Sequence, residues 1–314
     1  MASASVPVQK EIQGRSLWQD ARRRLFANKA AVASMVVLAL IAGLSVFMPM
    51  VWPHQFDDTF NSERVSCPPP NSLGMSWLFG DQEELCPKAV GKGHIFGTDA
   101  NGRDLFIRVM MGGRVSLAIG LVATFVALVI GVLYGATAGF LGGRIDNLMM
   151  RFVDVLYALP FIFFVIILVV VFGRNFILMF VAIGAVEWLT MARIVRGQTL
   201  SIRRKEFIEA AEAAGVSNWQ IIRRHILPNV VGPVIVYVTL TVPAVILVES
   251  FLSFLGLGVQ EPFTSWGVLI SDGKDQMESY PWMLVFPAIF MTVTLFCFNF
   301  IGDGLRDALD PKDR

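Results

Sequence analysis

Charge is scarce in this chain of 314 residues: 16% are Asp, Glu, Lys or Arg, against 55% hydrophobic. A soluble domain is about one quarter charged, so this sequence lacks the polar surface to cover a water-soluble globule. Basic and acidic residues nearly balance, 26 to 25, which excludes a bulk basic surface for nucleic acid. No G-x4-GK[ST] loop is present to cradle ATP phosphates, and no HExxH. The three histidines, His54, His94 and His225, are scattered along the chain and do not suggest a metal site. No nucleophile and base pair stands out in the apolar runs, which argues against an intramembrane hydrolase. What the sequence has in abundance is apolar length, with mean hydropathy +0.61 and 25 Phe.

Crossing ~30 Å of hydrocarbon takes about 20 helical residues. Six runs qualify, at 30–51, 115–141, 152–172, 176–195, 230–257 and 282–301. The expected fold is an all-α membrane protein with six transmembrane helices. The first run has no small-x-small cleavage site and reads as a retained anchor. Lys and Arg concentrate in 1–29, 142–151, 196–229 and 302–314, which predicts an N-in, C-in arrangement. The outer loop 52–114 carries Arg103, Arg108 and Arg114 near its end but is net acidic, and loops this long cross largely regardless of charge. The expected organisation is a cytoplasmic tail 1–29, a first helix 30–51, a periplasmic loop 52–114, a five-helix core 115–301 and a cytoplasmic tail 302–314.

Cys67 and Cys86 both fall in the Pro-rich outer loop, while Cys297 lies alone in the last run. If that loop faces an oxidising compartment, Cys67–Cys86 forms a disulfide closing it; the alternative is two unpaired thiols. In the first tail, Ser16 and Gln19 have capping-box spacing, and Leu17, Trp18, Ala21 and Leu25 share a helical face edged by Arg22, Arg23 and Arg24. This piece is read as lying on membrane lipid, or as a basic flank that only sets topology. The loop 196–229 is more structured than a connector needs. Lys205 to Ala214 favours helix, Gly215 supplies a left-handed stop, Ser217 and Gln220 space a second capping box, and Pro228 is expected to end the restarted helix. Two short helices broken at a glycine would hang between spans four and five, with Ala210, Ala211, Ala213 and Ala214 forming a surface another protein can approach closely.

Glu209-Ala210-Ala211, Gly215 and Leu227-Pro228 resemble the EAA-loop motif of ABC importer permeases, with His225 at a position that is usually apolar. The stretches from Phe96 to Leu105, Glu249 to Gly258 and Phe298 to Lys312 are similar to C-type permeases of the oligopeptide, dipeptide and nickel importer family. That resemblance spans nearly the whole chain and is weakest around Cys67–Cys86. It implies a type I ABC importer permease fold in a bacterial inner membrane. It also implies a second permease subunit (B type), two ATPase subunits (D and F types) holding ATP and Mg, and a periplasmic peptide-binding protein. This chain would bind no cofactor and hydrolyse nothing. Glu209, Ala210, Ala211, Ala213, Gly215, Ser217 and Trp219 would couple it to the ATPases, and alternating access would carry oligopeptides, or dipeptides, nickel or glutathione.

Ionisable groups inside spans are functional candidates. Asp154, three residues from Arg151, suggests a local ion pair. Glu187 and Glu249 are translocation-pathway candidates, each with helix-joining as its alternative. Gly131, Gly135 and Gly139 repeat every four residues and predict a smooth packing face. A proton-coupled secondary transporter would instead show duplicated halves, which six spans without evident repetition do not.

Overall fold

The computed structural model describes residues 17–58, 67–70, 79, 94–173 and 176–309. Among them all extended regular structure is helical, apart from one isolated bridge between Thr98 and Asp104. The helices are α1 (Leu17–Ala27), α2 (Lys29–Val51), α3 (Leu105–Leu141), α4 (Gly143–Ala158), α5 (Phe161–Phe172) and α6 (Phe176–Arg203). They continue as α7 (Glu206–Ala213), α8 (Asn218–Ile221), a π turn at Ile222–Ile226, α9 (Leu227–Phe254), α10 (Trp266–Asp275) and α11 (Trp282–Leu309). Ser16 and Cys86 lie outside the described residues.

Among the described residues, four helical stretches are long and apolar enough to cross a bilayer: α2, α3, α11 and the run Asn218–Phe254. Taken together α4 and α5 make a fifth, bent by 77°. The expected straight span over 152–172 is therefore corrected to a broken one. Pro160 lacks the N–H that would continue the helix, and it confines Leu159 to extended backbone, φ −74° and ψ 125°. The remaining candidate is α6, whose 28 residues reach about 42 Å at helical rise.

Local chemistry places the ends. Asn28 caps α2 by accepting from the Ala30 and Ala31 amides, and Asp104 caps α3 by accepting from Ile107. The α3–α6 seam is set by the expected glycines. A Cβ on Gly131 would stand 2.6 Å from Met191 Cβ, and one on Gly139 2.8 Å from Thr199 Cβ. One on Gly135 would run into the Ala192 carbonyl. Only hydrogen at these positions lets the two helices approach so closely. The seam is braced at one end by a bidentate pair, Arg196 Nε and Nη2 donating to Asp146 of α4 at 2.5 and 2.6 Å.

Candidate functional site

Two ends of the bundle carry ordered polar structure. At the first, α7 and α8 fold back under the helix ends. Ile208, Ile221, Ile222 and Ile226 are buried there with Ala136, Phe140, Met191, Val195 and Val230. The turn between α7 and α8 closes on two hydrogen bonds, Val216 N–H to Ala211 O at 3.1 Å and Gly215 N–H to Glu212 O at 3.0 Å. That closure puts Gly215 at φ +76°, a region costly for any residue with a Cβ. Val216 and Ala211 both pack on the isoleucine cluster beneath. The other side of this loop faces outward: Glu209, Ala210, Ala213, Gly215, Ser217 and Trp219 are exposed, Trp219 by 57%, and Ala211 is half-buried. A large indole is thus left in the open beside small residues, on a backbone held from within.

Two expectations for this segment need correction. Ser217 occupies the cap position of α8, yet its side chain makes no capping hydrogen bond. Pro228 does not end the helix, which runs unbroken from Asn218 to Phe254. The π turn before it explains why. Leu227 N–H reaches back five residues to Ile222 O, and the widened turn relieves the contact of the proline ring with the carbonyl below. Asn229 Nδ2 donates to His225 O at 2.6 Å, supplying a donor next to the missing amide.

At the opposite end, residues 94–104 and the segment from Gly258 to α10 form a polar joint. Asp104, fully buried, accepts from Ile107 N, His94 Nδ1 and Trp52 Nε1 at 3.2, 2.9 and 3.3 Å. His54 and His94, scattered in sequence, are neighbours in space with ring centroids 4.8 Å apart, and with Asp104 they bring three ligand-type atoms within 4.8 Å. Asp99 accepts from Asn101 N, Arg103 N and Arg103 Nε, and Arg103 Nη1 donates to Glu261 at 2.9 Å across 158 residues of sequence. That bond holds the Glu261 carboxyl below its ordinary range. Cys67 is disulfide-bonded, its N–H donating to Thr98 Oγ1 at 2.7 Å, whereas Cys297 is free and buried.

Glu249 is 0% exposed and surrounded by hydroxyls: Ser253 and Ser265 donate to Oε1 at 2.8 and 2.6 Å, and Ser116 to Oε2 at 3.3 Å. Ser116 Oγ also accepts from Trp266 N at 3.1 Å. One carboxylate thus ties α3, α9 and the cap of α10 together, a helix-joining geometry. Glu187 is half-buried on α6. Asp154 pairs with Arg193 of α6 at 2.8 Å, not with Arg151 of its own helix.

Residues 127–314, which include the whole α7–α8 loop, match the family described as the binding-protein-dependent transport system inner membrane component. The chain belongs to this permease family. A second match, over residues 16–69, is to the N-terminal transmembrane domain of oligopeptide transport permease C. The permease is 58% identical over 304 residues to the oligopeptide transport system permease protein OppC of Escherichia coli (strain K12), covering 97% of this chain and 94% of that one. It is 55% identical to OppC of Haemophilus influenzae over 304 residues, covering 97% and 91%. The fold resembles a chain of the inward-facing MetNI methionine ABC transporter, with TM-score 0.53 and 19% identity over 66% of this chain and 96% of that one. It is a type I ABC importer permease fold, and the permease is an inner-membrane component of a binding-protein-dependent system.

Sequence reasoning about this permease missed the pairs that join distant segments, namely Ser116 and Ser265 on Glu249, Arg103 on Glu261, and Arg196 on Asp146. No motif marks them, because each is created only when segments 16 to 158 residues apart meet.

Proposed function

We propose that this permease subunit translocates oligopeptides by alternating access, powered by ATP hydrolysed on other chains. The carrying observation is the α7–α8 loop, anchored from within by four buried isoleucines and presenting Ala210, Ala213, Gly215, Ser217 and Trp219 outward. Such a surface receives a rigid-body push and passes it to α6 and α9, the helices it connects. Two ATPase subunits (D and F types), carrying ATP and Mg, would each grip one permease, and the second permease would be of the B type. N-in, C-in orientation puts the α7–α8 loop in the cytoplasm. It puts the joint at residues 94–104 outside, where a periplasmic peptide-binding protein delivers substrate. The peptide assignment draws on the names of the relatives at 55% and 58% identity.

In this reading Cys67 pairs with Cys86 in the outer loop, and Glu187 is the better pathway candidate because Glu249 is consumed in holding three helices. A strain lacking the chromosomal gene, complemented with this chain, should take up labelled tri- and pentapeptides, and the tagged chain should copurify with ATPase subunits. Uptake by liposomes holding this polypeptide alone would overturn the proposal.

A further inference from the structure

At the end of the bundle opposite the α7–α8 loop, the start of α3, residues 99–103 and α10 enclose a cavity of about 270 Å³. Two opposite charges line it from different helices, Arg108 of α3 and Asp272 of α10. No ion pair joins them among the described residues. Arg108 is only 2% exposed, and its Nε has no hydrogen-bond partner. The Asp99 carboxylate stands 3.5 Å from that nitrogen, an ion pair without a hydrogen bond. Asp99 is already engaged by Arg103 Nε at 2.7 Å and by the amides of Asn101 and Arg103, and Arg103 is further engaged by Glu261. The Asp99 carboxylate is thus shared, an ion-pair partner for Arg108 but a hydrogen-bond acceptor for Arg103 and two amides, and Arg108 Nε is left a buried donor without an acceptor beside the cavity. A buried donor without an acceptor is costly, and a guanidinium is shaped to take a carboxylate on two parallel N–H bonds.

We infer that this cavity binds a small zwitterion, a free amino acid or a short peptide, with its carboxylate on Arg108 and its ammonium at Asp272. The rim chooses between ligand classes. Four carboxylates, Asp99, Glu261, Asp272 and Asp275, line the cavity against Arg103 and Arg108, and although Glu261 pairs with Arg103 and Asp275 with Lys274 the lining stays net acidic, which disfavours a simple anion. A simple cation would leave Arg108 Nε without an acceptor. A molecule carrying both charges answers both groups, and the volume admits one of amino-acid to dipeptide size. Desolvation pushes the Asp272 carboxyl up, against the pull of Arg108 and Arg103, and an incoming ammonium would reverse that. The inference stands on the cavity's own groups and does not depend on how the subunit is coupled to ATP.

The test is equilibrium dialysis of radiolabelled L-alanyl-L-alanine against the full chain, purified in lipid nanodiscs with the subunits that accompany it and without an external binding protein. Saturable binding is expected, weakened about 10–100-fold by Arg108→Gln and less by Arg108→Lys, as suits loss of charge-assisted hydrogen bonds. On the unmutated protein the C-terminal amide of the dipeptide should lose a similar factor, so the test survives a variant that fails to fold. Asp272→Asn should weaken the dipeptide but leave N-acetylalanine, which lacks the ammonium, unchanged. Absence of saturable binding at millimolar dipeptide, equal binding of the amide, or unchanged affinity in a folded Arg108→Gln protein would each overturn the assignment. ATP-driven uptake measured on the same preparations reports separately on the transport reading.

Discussion

Replacing Gly215 with valine isolates the backbone of the coupling turn from everything around it. A Cβ at this position meets nothing within 4 Å, so the substitution introduces no clash and its whole effect is conformational. Holding an L-residue at φ +76° costs about 1–2 kcal/mol. If the turn opens instead, it gives up the bonds Val216 N–H to Ala211 O and Gly215 N–H to Glu212 O, at about 0.5–1.5 kcal/mol each. Either route shifts the balance between closed and open turn by roughly 5–30-fold. The buried isoleucines under the loop are untouched, so the protein should still insert and α7 should still dock. Peptide uptake and peptide-stimulated ATP hydrolysis in proteoliposomes, normalised to the amount of protein, should therefore both fall in Gly215→Val. Gly215→Asn, which tolerates the left-handed region, should retain most activity. Wild-type uptake by the valine variant would refute the coupling argument, and an equal loss in the asparagine variant would refute its basis in backbone conformation.

Other expectations are read from stability and thiol chemistry. Gly135→Leu drives a side chain into the Ala192 carbonyl and should destabilise the α3–α6 seam by about 1–3 kcal/mol or more, whereas Gly43→Leu, in open space, should leave thermal stability in detergent unchanged. A seam that tolerates both equally would contradict the packing. Glu249→Leu leaves the hydroxyls of Ser116, Ser253 and Ser265 without their acceptor, at about 1–3 kcal/mol for each group that finds no other partner. Glu249→Gln keeps an acceptor oxygen and should melt closer to the parent; the opposite order would argue against the joint. Mass spectrometry after alkylation should find Cys67 and Cys86 modified only when the protein is first reduced, and labelling of both without reductant would remove the proposed disulfide.

The helical plan was legible because it rests on local, repeating signals. Apolar runs of bilayer length correspond to α2, α3, α9 and α11, and the four-residue glycine spacing from Gly131 to Gly139 marks the face that meets α6. The α7–α8 turn was legible for a similar reason, since Gly215 after an Ala/Glu-rich stretch has one local explanation. Polar chemistry at the opposite end was not. Glu249 could be seen as an ionisable residue in a span, but its hydroxyl partners come from 133 residues before it and 16 after. His54 and His94 looked unrelated across the loop that separates them, and Arg108 was one of three arginines that ran against the charge pattern of an outer loop, with nothing to mark it as buried.

Proline shows where local reading stops being sufficient. Pro160 and Pro228 carry the same two local penalties, a missing donor and a crowded preceding turn. One breaks its span by 77° and the other is absorbed into a continuous helix. The difference lies in what surrounds them. Leu159 and Pro160 are exposed, and α4 and α5 bury little beyond Asp146, Val153 and Val165, so nothing opposes the preference of the backbone to bend. Around Pro228, Ile222, Ile226, Val230 and Val234 are all buried in the cluster that also anchors α7. Straightness there is maintained by packing, and the π turn is the local adjustment that permits it. The α7–α8 loop consequently joins α9 through one helix from Asn218 to Phe254, and under the proposed function a displacement applied at Trp219 would pass along it toward Glu249 and the joint at the far end.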